Sequence, residues 1–97
     1  MMLYLVSYDV CTSTRAGQAR LRRVAKACED FGVRVQNSVF ECVLEYDGYL
    51  RLRQRLAQLI DPKQDSLRFY PMGKHGREKV VHLGVEKAFD VEEPLIL

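Results

Sequence analysis

The chain has 97 residues, a length that fits one domain with one modest hydrophobic core. Apolar residues make up 47% and charged residues 29%, with 6 glycines and 3 prolines, which excludes disordered, collagen-like and low-complexity classes. No apolar run approaches the ~20 residues of a membrane helix, and the first residues lack the pattern of a signal peptide. The sequence therefore predicts a cytoplasmic protein with no membrane association. Its three cysteines are expected to be reduced thiols: Cys11, Cys28 and Cys42.

Charge is unevenly placed, although 15 basic and 13 acidic residues nearly balance at +2. Residues 14–34 carry six basic against two acidic side chains, and residues 68–79 carry four against one. Clustered arginines favour an anionic partner, nucleic acid first, because the guanidinium fork matches phosphate. The solvated face of an amphipathic helix produces the same pattern and remains an alternative. The candidate nucleic-acid-binding residues are Arg20, Arg22, Arg23, Lys26, Lys74 and Arg77.

The first half of the chain predicts a strand, a helix and two further strands. Residues 2–8 are nearly continuous in apolar and aromatic side chains, which is typical of a central strand. Hydroxyl side chains at 12–14 can cap a helix, and an apolar stripe at helical spacing predicts that helix over about 15–31. Residues 34–45 are extended, with a bend or bulge at 36–38 between two strands.

The second half of the chain predicts a helix, two strands and a tail. Leucines at helical spacing and the helix-ending Asp61-Pro62 pair indicate the helix. The predicted elements, in order, are a second helix that begins at Asp47-Gly48, a strand over 66–72, a basic mobile loop over 73–77, a short fifth strand over 79–84 and an acidic tail over 85–97.

This element order predicts an α+β fold, a ferredoxin-like βαββαβ sandwich over residues 1–84 with an additional C-terminal strand. Four antiparallel strands would carry both helices on one face. The chain has no element left to cover the other face, so a second copy is the simplest cover. We therefore expect a symmetric homodimer in which the fifth strand pairs with its own sheet edge or with the partner's.

Asp9 is the first candidate for chemistry because a carboxylate at the end of a central strand is held rigidly at the rim where ligands bind. Carboxylate oxygens suit Mg²⁺ or Mn²⁺. A lone aspartate after a strand is also an ordinary turn former or helix cap, and one carboxylate makes a poor metal site. A two-fold axis close to Asp9 would supply a second carboxylate, so the metal hypothesis requires the dimer.

Four other residues are candidates with structural alternatives. Tyr8 fits either base stacking or the core, and Ser38 fits either a phosphate contact or a turn hydrogen bond. Phe40 is expected in the core or in a dimer interface. Arg34 either reaches the same rim as Asp9 or stays an ordinary surface residue.

Three segments together resemble the second CRISPR-associated protein family, whose members are small partners of the integrase that acquires spacers. The segments are MLYLVSYDV at 2–10, RLRRVAK at 20–26 and GVRVQNSVFE at 32–41, of which the last is the most specific. Length, element order and motif spacing agree over about residues 1–84. The resemblance implies a ferredoxin-like homodimer with a metal-binding Asp9 at the dimer cleft.

The resemblance also implies the remaining roles. Tyr8, Arg34, Ser38 and Phe40 would lie near the cleft as catalytic candidates beside Asp9. Some members cleave RNA or double-stranded DNA with a metal ion, and in adaptation the dimer bridges two integrase dimers and holds a DNA duplex. Three alternatives stay open: a non-catalytic nucleic-acid-binding scaffold, a toxin-like mRNA interferase on the same fold, and a regulator that binds a small ligand.

Overall fold

The computed structural model of the protein describes residues 1–85. The elements, in chain order, are β1 (Met2–Asp9), α1 (Arg15–Glu29), β2 (Val33–Gln36), β3 (Val39–Leu44), α2 (Tyr46–Leu59), β4 (Ser66–Gly73) and a short 3₁₀ helix (Gly76–Lys79). The predicted order of the first six elements is confirmed, with shifts of one or two residues at their ends. Residues 86–97, which make up nearly all of the predicted acidic tail, lie outside the described residues.

The four strands form one antiparallel sheet in the order β2–β3–β1–β4. The central strand β1 pairs with β3 from Met2 opposite Leu44 to Ser7 opposite Val39. On its other side β1 pairs with β4 as far as Asp9 opposite Ser66. This strand order, with a helix between the first two strands and another between the last two, is the predicted ferredoxin-like arrangement.

The core lies between the sheet and the two helices. Alternate residues of the central strands point toward the helices, because successive side chains of a strand face opposite sides. Val6, Tyr8, Phe40 and Cys42 are each no more than 3% exposed. They pack against one apolar stripe on each helix: Val24, Ala25, Ala27 and Cys28 of α1, with Leu52 and Leu56 of α2.

The other face of the sheet, called the open face below, carries no helix. By register it presents Leu3, Leu5, Ser7 and Asp9 of β1, Val39, Glu41 and Val43 of β3, and Ser66, Arg68 and Tyr70 of β4. The start of the 3₁₀ helix crosses one corner of this face. Gly76 is buried there against Leu3, and a Cβ at Gly76 would lie 3.0 Å from the Leu3 Cβ. The loop predicted to be mobile therefore contains a packed glycine.

The predicted fifth strand over 79–84 is not formed within the described part of this chain. Lys79 ends the 3₁₀ helix, and residues 80–85 have no strand partner. The chain leaves β4 at Gly73, which has a φ of 84°, and Gly76 then packs over the open face against Leu3, while residues 80–85 do not pair with the free edge of β4. A strand needs such an edge for its hydrogen bonds. Val81 and Leu83 are left 82% and 89% exposed.

Candidate functional site

Asp9 is the last residue of β1, and its side chain is exposed on the open face. It lies opposite Ser66 of β4, and the next pair on the same face is Ser7 opposite Arg68. Among the described residues no cluster of three or more His, Cys, Asp or Glu side chains is placed to hold a metal ion. The guanidinium of Arg68 donates to the hydroxyl of Tyr70 at 3.1 Å. One copy of the chain therefore offers an accessible carboxylate opposite a serine, but not a complete metal site.

Three of the predicted companions of Asp9 lie on the opposite face of the sheet. Tyr8 is 3% exposed and Phe40 is 0% exposed, and their rings stack with centroids 6.2 Å apart. The guanidinium carbon of Arg34 lies 5.2 Å from the centroid of the Phe40 ring, which is a cation–π distance. The structure thus divides the predicted catalytic set between two faces, because neighbouring strand residues alternate. A single cluster of these residues around Asp9 is not formed within one chain.

Tyr8 attaches the β2–β3 turn to the end of β1. Its hydroxyl donates to the carbonyl oxygen of Asn37 at 3.4 Å, and its backbone N–H donates to the carbonyl oxygen of Ser38 at 3.1 Å. Burial raises the pKa of Tyr8 to about 12, although the nearby Arg34 guanidinium partly opposes this shift. The phenol therefore stays protonated at neutral pH and cannot act as a general base there. Ser38 lies in this turn, and its carbonyl oxygen is hydrogen-bonded to the residue that directly precedes Asp9.

Arg34 is a partly buried cation whose donors are not all satisfied by the described residues. Its Nε and Nη1 atoms are buried without a hydrogen-bond partner. Buried donors nearly always find an acceptor, so an oxygen from water, a partner chain or a bound phosphate would complete this guanidinium. Stacking on Phe40 holds the group in place.

Arg20, one of the predicted nucleic-acid-binding residues, forms an ion pair with Asp65 in this structure. Its Nε donates to Oδ2 of Asp65 at 2.9 Å, and the two side chains are 15% and 0% exposed. Two of its guanidinium nitrogens, Nε and Nη2, are directed to the carboxylate of Asp65, and the side chain is mostly buried. Asp65 is a residue that the sequence alone does not single out, since an aspartate four residues after Asp61 in a loop is an ordinary turn pattern.

The remaining basic candidates fall on two separate surfaces. Arg22, Arg23 and Lys26 of α1 line a groove in the helix layer, together with Arg55 of α2. Asp30 lies 2.9 Å from Arg55 and 3.4 Å from Lys26, so part of this charge is neutralised. The hydrogen bond from Arg55 lowers the pKa of Asp30, which keeps it ionised. Arg22 and Arg23 stay exposed and give the groove its unbalanced positive charge.

Lys74 and Arg77 lie beyond β4, in the segment that crosses toward the open face. Both side chains are exposed. They are therefore placed on the side of the sheet that carries Asp9, whereas the groove of α1 and α2 lies on the other side. The structure does not bring all of the predicted basic residues onto one surface.

These features define a class of protein: a small ferredoxin-like sandwich with a strand-terminal aspartate on an uncovered sheet face and a basic helix layer. The family model described as CRISPR associated protein Cas2 matches residues 2–80, and the chain belongs to this family. The predicted family is thereby confirmed.

Known relatives match over nearly the whole chain. The CRISPR-associated endoribonuclease Cas2 of Nitratidesulfovibrio vulgaris is 52% identical over 96 residues, which cover 99% of this chain and 94% of the relative. The crystal structure of Streptococcus pyogenes Cas2 at pH 6.5 is 53% identical and superposes with a TM-score of 0.76, covering 86% of this chain and all of that one. A chain of a partial Cas6-RT-Cas1–Cas2 complex is 25% identical with a TM-score of 0.67, covering 86% of this chain and 91% of that chain.

Neither helix of the described chain is long and apolar enough to cross a membrane.

Proposed function

We propose that this protein is a homodimeric, metal-dependent endonuclease of CRISPR adaptation that acts on the phosphodiester backbone of RNA or DNA. The observation that carries the proposal is the exposed carboxylate of Asp9 at the end of β1, on a sheet face without a helix. The name of the Nitratidesulfovibrio vulgaris relative, an endoribonuclease, supports the activity. The solved complex that contains Cas1 and Cas2 supports an integrase subunit as the partner.

The homodimer is supported by the composition of the open face. Leu5, Val39 and Val43 are half-buried on this face, and Tyr70 is 41% exposed. These side chains form an apolar patch on an otherwise mixed sheet face, and a second copy related by two-fold symmetry would cover the patch with the same surface. The extended segment 80–85 would then find a strand edge on the partner, as it does not in its own chain.

A divalent ion fits the site as an ion shared between two copies. One Asp9 is a single hard oxygen ligand, but two related by the dimer axis offer the one or two carboxylates with which Mg²⁺ or Mn²⁺ is bound in phosphoryl-transfer sites. When bound, the ion would polarise a phosphoryl oxygen and lower the pKa of a coordinated water molecule. The two Asp9 carboxylates would hold it there.

The side chains of the chain itself bind and orient the nucleic acid. Arg22 and Arg23 attract the backbone through long-range charge, as do Lys74 and Arg77 on the other side of the sheet. Tyr8 remains protonated at neutral pH and so does not remove the proton from the attacking water. The Tyr8–Arg34–Phe40 cluster lies on the helix side of the sheet. Together with the turn that contains Ser38, it would support the strand ends that form the rim of the cleft.

A second candidate is a scaffold that binds DNA without cleaving it. It is favoured by the position of the Arg22–Arg23 groove, which lies on the opposite side of the sheet from Asp9. A duplex held there would contact basic side chains and not the carboxylates. In this role the predicted tail, residues 85–97, would dock on the integrase, and the folded domain would be residues 1–84.

We place this activity in the cytoplasm, where nucleic acids are accessible and thiols stay reduced. The three unpaired cysteines, Cys11, Cys28 and Cys42, agree with that compartment.

The test is the Asp9→Asn variant, assayed for Mg²⁺-dependent cleavage of RNA and of duplex DNA and for spacer acquisition. We expect cleavage to be lost while the dimer elutes unchanged from a sizing column. Asp47→Asn, which alters an exposed aspartate in the first turn of α2, is the matched control and should cut normally. Cleavage by Asp9→Asn at the wild-type rate would refute the site. Loss of cleavage with acquisition intact would favour the scaffold as the protein's role in adaptation.

A further inference from the structure

A fully buried carboxylate lies close to the end of β1. The side chain of Asp65 is 0% exposed, and its two oxygens accept hydrogen bonds from three residues. Oδ1 accepts from the backbone N–H of Cys11 at 3.0 Å and from Arg20 Nη2 at 3.4 Å. Oδ2 accepts from Arg20 Nε at 2.9 Å and from the backbone N–H of Asp61 at 2.8 Å. Such a charge is tolerated in the interior because it is both paired and hydrogen-bonded.

Asp65 connects the two chain segments that lie just beyond the last residue pair of β1 and β4. That last pair is Asp9 opposite Ser66. Asp65 directly precedes Ser66 on one side, and Cys11 lies two residues after Asp9 on the other. The carboxylate therefore ties together the two segments just beyond Asp9, at the point where a strand end would otherwise fray.

The helix α1 holds the same turn from a third side. Gly17 packs directly against the backbone of Cys11, and a Cβ at Gly17 would overlap the Cys11 carbonyl oxygen. Thr14 caps the helix, with its Oγ1 accepting from the Gly17 N–H at 3.0 Å. Arg20 extends from the second turn of this helix to Asp65. The turn between Asp9 and α1 is thus packed and hydrogen-bonded, not loose.

We propose that Asp65, with Arg20, is a positioning residue that sets the location of Asp9, so that the carboxylates of two copies meet at the spacing a shared divalent ion requires. This role rests on the proposed function. Site residues must be held within about 0.5 Å of the productive geometry, and a misplacement of about 1 Å can cost a factor of ~100. Asp9 is the last residue of β1, and the bond from the Cys11 N–H to Asp65 restrains the segment that directly follows it.

A residue that only stabilises the fold, called a staple here, would behave differently from a positioning residue. A staple would lower stability when removed and leave the metal affinity of the folded protein unchanged. A positioning residue lowers metal affinity in protein that is still folded and dimeric. The two are separated by measuring Mn²⁺ binding by electron paramagnetic resonance, together with hydrogen exchange at the Cys11 amide.

The variant is Asp65→Asn, which keeps the size of the side chain and one carbonyl acceptor but loses the charge. The matched control is Asp30→Asn, because Asp30 also accepts from an arginine at 2.9 Å but lies in the helix layer, where its side chain is 39% exposed. We expect Asp65→Asn to bind Mn²⁺ about 10- to 100-fold more weakly, the range known for residues that orient metal ligands. Its Cys11 amide should exchange faster, and Asp30→Asn should match the wild type in both.

Wild-type Mn²⁺ affinity in folded, dimeric Asp65→Asn would overturn the positioning role and leave the proposed function standing. If Asp65→Asn does not fold, Arg20→Lys decides the matter. It keeps the charge, loses the two-pronged donor and should weaken Mn²⁺ binding partially, whereas unchanged binding would overturn the role. Wild-type protein that binds no Mn²⁺ would end both the proposed metal site and the positioning role, and this outcome is recognised because the wild type itself fails.

Discussion

Tyr8 and Asp9 are neighbours in the sequence, yet their side chains lie on opposite faces of the sheet. Tyr8 is 3% exposed beneath the helices, whereas Asp9 is exposed on the open face. The consequence is a division of roles between two adjacent residues. Substitutions on the helix side should act mainly through stability, and those on the open face through association and chemistry.

Phe40→Ala should destabilise the fold by about 3–5 kcal/mol, because it removes a buried aromatic ring from between Tyr8 and Arg34 and leaves a cavity. Urea denaturation followed by circular dichroism measures the change. Val33→Ala, at a strand position that is 60% exposed, is the control and should stay within about 0.5 kcal/mol of the wild type. A loss below about 1 kcal/mol for Phe40→Ala would contradict the description of this cluster as core.

Leu5→Lys should convert the dimer to a monomer without unfolding it. The substitution places an ammonium group at the centre of the open face, where it would block contact with a second copy. Glu41 lies directly opposite on β3 and can form an ion pair with the new lysine, so the single chain should stay folded. Multi-angle light scattering gives the mass. Leu50→Lys, at a 41% exposed position on the outer helix α2, should remain dimeric. A dimeric Leu5→Lys variant would show that another surface joins the two copies.

The double variant Arg22→Gln, Arg23→Gln should weaken duplex DNA binding and flatten its salt dependence. Each phosphate that is no longer neutralised lowers the slope of log affinity against log salt by about 0.9, so two such phosphates lower it by roughly 1.8. Fluorescence anisotropy over a salt series measures this slope. Arg53→Gln, an exposed arginine of α2 outside this groove, should keep the slope. An unchanged slope in the double variant would remove the helix-layer groove from the interface.

Stability should fall in acid partly because of Asp65. The hydrogen bond from Arg20 holds the pKa of this carboxyl below its ordinary value, with smaller support from the backbone N–H groups of Asp61 and Cys11. Since the folded pKa is lower than the unfolded one, the stabilisation is complete above the unfolded value of about 3.9 and is lost as pH falls toward the folded value. Urea unfolding from about pH 6 to about pH 2 should show a shallower acid loss in Asp65→Asn than in the wild type. Parallel curves would refute this linkage.

The fold could be predicted from the sequence because its signals are local. The apolar run of 2–8 and the leucine stripe before Asp61 identify their elements without any tertiary information. The prediction of a fifth strand is wrong within a single chain, because 79–84 has strand composition but a strand also needs an available edge. After Gly73 the chain crosses the sheet instead, and Gly76 packs against Leu3.

The candidate site was only partly predictable. The position of Asp9 at a strand end follows from its place in the sequence, and the structure agrees. That Arg20 pairs with Asp65 depends on a contact between residues 45 positions apart, which no local pattern indicates. The separation of Tyr8 and Phe40 from Asp9 follows from the alternation of side chains along a strand. The family resemblance groups these residues together, and so it does not predict this separation.

Counting metal sites tests the central claim most directly. Titration of the wild-type protein with Mn²⁺, followed by electron paramagnetic resonance, should give one strong site for every two chains, and Asp9→Asn should have none. One site per chain, or an unchanged site in Asp9→Asn, would contradict an ion shared between two Asp9 carboxylates.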